Sequence, residues 1–276
     1  MADKAHLNMI ITGHIDNGKS TTMGHFLMDL GVVDERAIAQ HAEESEKTGK
    51  GDTFKYAWVM DNIKDERERG ITIDLAFQKF ETPKYFFTLI DAPGHRDFIK
   101  NMITGASEAD AAVLVLSAKE GETDTAIAPG GQAREHAFLL KTLGVGQLIV
   151  AINKMDDSKF SEDAYTAAKA KGEQLVKSVG YKLENVPFIP CSGWTGDNLV
   201  KKSENMPWYK GKTLLEAFDD FVAPEKPIGK PLRVPIQDVY SITGVGTVPV
   251  GRVETGVMKP GDKIVVMPSG APGEIK

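Results

Sequence analysis

The segment Gly13-His-Ile-Asp-Asn-Gly-Lys-Ser20 fits the pattern G-x-x-x-x-G-K-[ST], and it constrains the fold more than any other feature of the chain. Glycines allow a tight loop whose backbone N–H groups point inward at phosphate oxygens, while Lys19 supplies a mobile cation and the Ser20 hydroxyl can bind Mg²⁺. An apolar run precedes the loop and an amphipathic segment follows it, so a helix start directs its dipole at the same place. The motif predicts a strand, a phosphate-binding loop and a helix, in that order.

Short apolar runs alternate with helical patterns over most of the chain. Strand-like runs occupy 7–12, 86–90, 112–116, 148–153 and 186–189, and amphipathic stretches occupy 20–30, 98–106, 132–143, 162–179 and 214–221. This alternation predicts an α/β fold with a mostly parallel sheet and helices on both faces. Ile73, Leu75 and Phe77 alternate with more polar or smaller residues, which predicts a half-exposed strand in an antiparallel hairpin at the sheet edge.

The pattern changes near the C-terminal end. A segment rich in Pro and charge at 224–231 predicts a linker between a domain at 1–223 and a second module at 232–276. The second module has short Val-rich runs and turn signals, which are typical of an antiparallel β-structure. Because three or four strands would leave the edges of a barrel open, we expect a truncated chain whose barrel continues beyond Lys276.

Composition excludes several classes of protein. Lys+Arg number 33 and Asp+Glu 39, a net charge of −6 that argues against a surface basic throughout, although not against a local basic patch. The single cysteine, Cys191, excludes an internal disulfide and fits a reducing compartment. No apolar run approaches the roughly 20 residues that span a bilayer. We expect a cytoplasmic protein with no membrane partner.

A second motif, Asn153-Lys-Met-Asp156, follows another apolar strand. A carboxylate accepts two hydrogen bonds side by side, and guanine offers N1–H and N2–H₂ in that geometry. Adenine lacks this donor pair and would leave Asp156 opposite a lone pair, so the motif predicts selection of guanine. The stem of Lys154 can cover the face of the base, and backbone N–H groups of Ser192 and Gly193 can reach the base oxygen.

A third motif, Asp91-Ala-Pro-Gly94-His95, lies between the other two at the end of a strand run. Asp91 can hold a Mg²⁺-bound water, the Gly94 N–H can reach a γ-phosphate, and His95 can orient an attacking water. Orientation is favoured over proton abstraction, because γ-phosphate hydrolysis needs little proton removal early. Thr72 can add a second hydroxyl to Mg²⁺ only while the γ-phosphate holds its segment.

The segment before Thr72 is polar. The charge-rich stretch at 61–69 predicts a solvated helix face, and the long polar region from about 34 to 70 suits an order–disorder switch.

Together these motifs resemble the translational GTPases, and the chain is most similar to the family of elongation factor 1-alpha of archaeal or eukaryotic type, a relative of elongation factor Tu. The most specific parts are 13–24, 66–74, 91–107, 153–156 and 191–194. The resemblance implies a P-loop GTPase domain followed by part of an antiparallel β-barrel, with GTP/GDP and Mg²⁺ as cofactors. It implies aminoacyl-tRNA, the ribosome and a guanine-nucleotide exchange factor as partners of a monomer that hydrolyses GTP to GDP and phosphate under ribosome stimulation.

The resemblance also implies site residues. Catalytic roles fall to His95 and Lys19, and the metal ligands are Ser20, Thr72 and, through water, Asp91, which with Gly94 and His95 forms the second switch. The nucleotide-binding residues are Gly13, His14, Ile15, Asp16, Asn17, Gly18, Lys19, Ser20, Thr21, Asp91, Ala92, Pro93, Gly94, His95, Asn153, Lys154, Met155, Asp156, Ser192, Gly193 and Trp194. Two positions depart from the family pattern: Asn17 stands where Ser or His is usual, and Ala133 stands where Thr is expected.

Three alternatives stay open. A termination or ribosome-rescue GTPase of the same superfamily would bind a protein that mimics tRNA. A nucleotide-dependent binding module would carry the same motifs without useful hydrolysis. An ATP-dependent kinase or ATPase conflicts with Asp156. No internal arginine finger is evident, so intrinsic hydrolysis is expected to be slow.

Overall fold

The computed structural model describes residues 4–47, 55–60, 66, 72–225, 227–236, 238–244 and 246–276. The chain divides into two units, Met1–Ala223 and Pro224–Lys276. Much of the predicted order–disorder switch, and the predicted solvated helix face apart from Glu66, lie outside the described residues.

The first unit is built on one sheet. Its strands are β1 (Ala5–Gly13), β2 (Ala76–Glu81), β3 (Tyr85–Asp91), β4 (Ala111–Ser117), β5 (Gln147–Asn153) and β6 (Phe188–Pro190). They lie in the order β2-β3-β1-β4-β5-β6. Every pairing is parallel except that of β2 with β3, which is antiparallel. The predicted mostly parallel sheet with an antiparallel edge strand is confirmed.

Helices connect the strands and cover both faces. They are α1 (Lys19–Asp29), α2 (Glu35–Lys47), α3 (Ile99–Glu108), α4 (Glu122–Ile127), α5 (Gln132–Thr142), α6 (Glu162–Val179) and α7 (Leu214–Phe218). Single 3₁₀ turns occur at Ala57–Val59, Arg96–Phe98 and Leu183–Asn185. Successive strand residues point to opposite faces, so β4 supplies Leu114 to the layer with α3, α5 and α6, and Val113 to the layer with α1 and α7.

The strand order places the site. Strand β1 has β3 on one side and β4 on the other, so the connections diverge from it. A crevice at such a switch point, beyond the carboxyl ends of the strands, is where open α/β sheets bind ligands. The three sequence motifs follow β1, β3 and β5 directly, and residues 191–194 follow β6. The turn at 143–146 lies at the opposite edge, before β5.

The structure corrects two expectations and bears on a third. Strand β2 begins at Ala76 rather than near 73, and Phe77 is 49% exposed because Ala76 and Phe80 take the buried face. Helix α2 occupies part of the region predicted as an order–disorder switch, and its Ile38 packs in the core; the switch itself stays a prediction. The charge-rich stretch was predicted to be solvated, yet Glu66 is buried, because its carboxylate accepts backbone hydrogen bonds.

The second unit contains antiparallel pairs, as the sequence predicts. Strand β7 (Asp238–Ile242) pairs with β8 (Gly246–Val250), and β9 (Lys263–Val266) pairs with β10 (Ala271–Glu274). A single antiparallel bridge joins Arg233 to Thr255.

Candidate nucleotide-binding site

The phosphate loop between β1 and α1 depends on two glycines with positive φ. Gly13 has φ 149° and Gly18 has φ 79°. A Cβ on Gly13 would lie 2.5 Å from the Val115 carbonyl oxygen, and one on Gly18 would lie 2.6 Å from Asn153 Nδ2. Within the loop, Asn17 Nδ2 donates to the Val115 carbonyl oxygen over 2.9 Å. The two glycines therefore serve close approach as well as backbone conformation.

Lys19 lies inside the loop, where it is almost fully buried. Its Nζ donates to the His14 carbonyl oxygen at 3.0 Å. Burial, followed by the charge of Lys19, lowers the pKa of His14, so that this imidazole is neutral beside the cation. A Cβ on Gly94 would lie 2.4 Å from Lys19 Nζ and 3.1 Å from the Ile15 nitrogen. The second switch therefore packs closely against the phosphate loop at Gly94.

Three predicted metal-binding residues meet beside the loop. Ser20 Oγ donates to Asp91 Oδ2 over 2.6 Å and lies 3.1 Å from Thr72 Oγ1. Asp91 is fully buried, and burial raises its pKa to about 6 against the opposing hydrogen bond from Ser20. Its second oxygen, Oδ1, has no partner among the described residues. A buried carboxylate with an unpaired oxygen beside two hydroxyls is the donor set that a hard cation such as Mg²⁺ uses.

No group of three His, Cys, Asp or Glu side chains suited to a metal occurs in the described part of the chain. The Ser20–Thr72–Asp91 cluster differs from such a group because two of its three members are hydroxyls.

His95 follows this cluster and is partly exposed. The backbone N–H of Asp97 donates to His95 Nδ1 over 3.2 Å, and an Asp97 carboxylate oxygen lies 3.5 Å from the same nitrogen. Because Nδ1 accepts a hydrogen bond in this arrangement, a neutral ring carries its proton on Nε2. The free edge of the imidazole is therefore a donor.

The base-reading segment is tied to the phosphate loop by Asn153. Its Nδ2 donates to the Asn17 carbonyl oxygen at 2.8 Å, and its Oδ1 accepts from the Gly193 N–H at 2.8 Å. Lys154 has φ 62°, and its Nζ donates to Glu122 Oε2 at 2.8 Å.

Asp156 is oriented by a neighbouring hydroxyl. Ser192 Oγ donates to Asp156 Oδ1 over 2.5 Å, and the Thr195 N–H donates to Ser192 Oγ over 3.0 Å. Ser192 uses its own N–H for the Asp197 carbonyl oxygen. Both backbone donors predicted for the base oxygen, at 192 and 193, thus already have acceptors within the chain. In this structure these two N–H groups stabilise the loop that follows β6.

Helix α1 contacts the loop at residues 192–195. His25 Nδ1 donates to the Gly193 carbonyl oxygen at 2.9 Å, and a Cβ on Gly193 would lie 2.4 Å from Thr22 Oγ1. The His25 ring stacks on Tyr56 with centroids 4.1 Å apart, and Tyr56 meets Trp194 edge-on at 6.0 Å. Trp194 is therefore part of an aromatic group beside the loop.

The remaining predicted residues take supporting places. Asp16 is exposed at φ 63°, and Thr21 is half-buried in the first turn of α1. Ala92 and Pro93 are buried between Asp91 and Gly94, and Met155 is fully buried with its N–H donated to the Cys191 carbonyl oxygen.

Sequence reasoning missed two side chains of α5 that hydrogen-bond to β1 and the phosphate loop. Gln132 Oε1 accepts from the Ile15 N–H over 3.2 Å, and His136 Nδ1 lies 2.7 Å from Thr12 Oγ1. Burial, followed by the charge of Lys19, lowers the pKa of His136 to about 3. The two residues are four apart, so they share the buried face of the helix. Polar residues on an otherwise apolar helical face were the available signal. Glu66 and Asn101 were also missed.

A phosphate loop at the switch point of a mostly parallel sheet, with an Asn-Lys-x-Asp segment two strands away, defines a P-loop domain of the GTPase class. The chain belongs to the family of elongation factor Tu GTP binding domains, whose model matches residues 4–224.

Relatives by sequence are elongation factors. The chain is 90% identical to elongation factor 1-alpha of Cenarchaeum symbiosum over 276 residues, all of this chain and 63% of that protein. It is 62% identical to elongation factor 1-alpha of Thermofilum pendens over 274 residues, 99% of this chain and 63% of that protein. The chain thus spans about 63% of the length of these curated relatives.

Solved structures share the fold. A structure of sup35 complexed with GMPPNP has TM-score 0.59 and 32% identity over 98% of this chain and 57% of that one. The Saccharomyces cerevisiae Ski7 GTPase-like domain bound to GTP has TM-score 0.76 and 24% identity over 94% of this chain and 60% of that one.

Among the described residues, no helix is both long and apolar enough to cross a membrane.

Proposed function

We propose that this chain is the nucleotide-binding part of a translation elongation factor of the 1-alpha type. It binds GTP or GDP with Mg²⁺, hydrolyses GTP to GDP and phosphate, and acts with aminoacyl-tRNA, the ribosome and a guanine-nucleotide exchange factor as a monomer in the cytoplasm. The partners rest on the similarity to elongation factors 1-alpha. The nucleotide chemistry rests in addition on the geometry of the site.

The observation that carries the proposal is the orientation of Asp156. Its Oδ1 is fixed by the Ser192 hydroxyl, so the carboxylate plane is set before any ligand arrives. Such a carboxylate can accept two parallel N–H bonds, which guanine provides and adenine does not. In this proposal the stem of Lys154 and the ring of Trp194 would flank the base.

The phosphates fit the loop at 13–20. Lys19 would exchange its His14 carbonyl partner for phosphate oxygens. Gly94 packs against Lys19 and Ile15, and its N–H would meet the terminal phosphate. Mg²⁺ would be held by Ser20 and Thr72, and the buried Asp91 carboxylate would bind it through water and balance its charge. The cation supplies charge neutralisation to the phosphates when bound.

His95 would orient the attacking water. With its proton on Nε2, the ring donates a hydrogen bond and cannot at the same time accept the proton of water. This agrees with orientation or electrostatic help rather than general-base catalysis. His95 directly follows Gly94, which packs against Lys19 and Ile15 of the phosphate loop.

A termination or rescue factor is the second candidate of the same class. The identity to the sup35 structure is 32%, compared with 90% to an elongation factor 1-alpha, so the elongation reading is favoured.

Titration with GDP, GTP and ATP, with and without Mg²⁺, tests the proposal. We expect tight binding of both guanine nucleotides, strengthened by Mg²⁺, and binding of ATP weaker by about a hundredfold or more. Asp156→Asn should reduce GDP affinity and admit xanthosine diphosphate, whose base presents an acceptor where guanine presents a donor. Tight ATP binding, or specificity indifferent to Asp156→Asn, would defeat the assignment.

A second experiment separates an enzyme from a nucleotide-dependent binding module. With ribosomes and the full-length protein, His95→Ala should slow GTP turnover while GDP affinity stays unchanged. An unchanged turnover rate would favour the binding module.

A further inference from the structure

Residues 73 and 74 are held by two side chains outside the site described above. Glu66 Oε1 accepts from the Ile73 N–H at 2.9 Å and from the Asp74 N–H at 3.0 Å. Asn101 Nδ2 donates to the Ile73 carbonyl oxygen at 2.8 Å and to Asp74 Oδ1 at 2.9 Å. We call these four residues the 73–74 clamp.

The clamp replaces sheet pairing at this point. Strand β2 takes its ladder partners from β3 only from Ala76 onward. Ahead of it, side chains satisfy both backbone N–H groups and the Ile73 carbonyl. Glu66 is only 3% exposed, and a buried carboxylate is tolerated when its charge is hydrogen-bonded. Removing a partner of such a group costs more than an ordinary surface hydrogen bond.

The clamp adjoins the Ser20–Thr72–Asp91 cluster. Thr72 immediately precedes Ile73, and its Oγ1 lies 3.1 Å from Ser20 Oγ. Adjacent Cα atoms are about 3.8 Å apart, so fixing both polar backbone groups of residue 73 leaves little freedom for the backbone of residue 72.

The clamp also joins the segment at 72–74 to the helix that follows the second switch. Asn101 lies in the first turn of α3, which follows Asp91–His95 through the 3₁₀ turn Arg96–Phe98. A displacement of α3 would withdraw the amide that holds the Ile73 carbonyl and the Asp74 carboxylate.

We propose that Glu66 and Asn101 are positioning residues that hold Thr72 for the triphosphate-bound state, so that the 73–74 clamp raises the affinity for GTP relative to that for GDP. The inference rests on the proposed function, because it gives Thr72 a role only when a γ-phosphate is present. A purely structural role would instead weaken GDP and GTP binding together.

The test compares affinities for GDP and for a non-hydrolysable GTP analogue, both with Mg²⁺. Asn101→Ala is the main variant, because Asn101 is only half-buried and alanine favours the helix. We expect GTP-analogue affinity to fall about tenfold, with GDP affinity within about twofold of the unchanged chain. Thr104→Ala is the matched control, since Thr104 is exposed one turn later and its hydroxyl donates to the Lys100 carbonyl of its own helix.

Glu66 gives an independent test by rescue. Glu66→Ala should lower the same ratio of affinities about tenfold, whereas Glu66→Gln keeps an acceptor oxygen and should restore most of it. An unchanged GTP-to-GDP ratio in Asn101→Ala, or equal losses for both nucleotides, would overturn the inference. Failure of the unchanged chain to bind GDP at all would instead remove the proposed function itself.

Discussion

Asn153 Nδ2 donates to the carbonyl oxygen of Asn17 over 2.8 Å, so the residue that opens the base-reading segment also holds the phosphate loop. The two residues are 136 positions apart in the chain. The halves of the candidate site are thus bonded to each other before a nucleotide bridges them.

Asn153→Asp tests this bond. The substitution keeps the Oδ1 acceptor for the Gly193 N–H but places a carboxylate oxygen opposite the Asn17 carbonyl. We expect a loss of about 1–3 kcal/mol in unfolding free energy and a weaker affinity for GDP, measured by denaturant titration and by nucleotide binding. Asp157→Asn, on the exposed next turn, is the control. Unchanged GDP affinity would show that the bond does not preorganise the site.

Gly18→Ala tests close approach in the phosphate loop. The new Cβ would meet Asn153 Nδ2 at 2.6 Å, whereas at Gly144, which has φ 90°, a Cβ would meet nothing within 4 Å. Gly144→Ala should therefore cost only backbone strain, about 1 kcal/mol, and Gly18→Ala should cost more and abolish tight GDP binding. Thermal unfolding and GDP titration measure the two effects. Equal losses of stability would refute the packing explanation.

His136 predicts a dependence of stability on pH. Its pKa is lowered from 6.5 to about 3 in the folded chain, so between these values the unfolded state binds one more proton. The contribution is present above pH 6.5 and is lost as pH falls, by about 1.4 kcal/mol per pH unit. The unfolding free energy of the wild-type chain, relative to that of His136→Gln, should therefore decline from pH 7 to pH 5. A pH-independent difference in denaturant midpoints would contradict it.

Asp91 predicts the opposite slope without a cation. Burial raises its pKa from 3.8 to about 6, so the stability it contributes is full below pH 3.8 and is lost as pH rises through 6. Mg²⁺ should relieve the ionised carboxylate, so it should raise the Tm of the GDP-bound chain more at pH 7.5 than at pH 5.5. Removal of Mg²⁺ with a chelator should reverse the gain, and Asp91→Asn should show little gain at either pH. An equal gain in that variant would place the cation elsewhere.

The loops of the site were predictable because each follows a buried strand. Gly13, Asp91 and Asn153 end β1, β3 and β5, and parallel strands bring such ends to one edge of a sheet. Motif spacing and apolar runs are local patterns, so the sequence displays them directly.

The supports of the loops were not predictable in this way. His136 meets Thr12 across 124 positions and Asn101 meets Ile73 across 28, so no local pattern identifies the partner of either side chain. The start of β2 was placed too early for the same reason. Alternation from Ile73 onward suggested pairing, but side chains from distant positions take the backbone groups there.

All four loops of the site lie at one edge of the sheet, and the turn 143–146 lies at the opposite edge. At the turn 143–146, both Gly144 and Gly146 face open space. A fluorophore or a short peptide tag inserted there would sit a full strand length away from the phosphate loop, and could report on ligand binding without taking part in it.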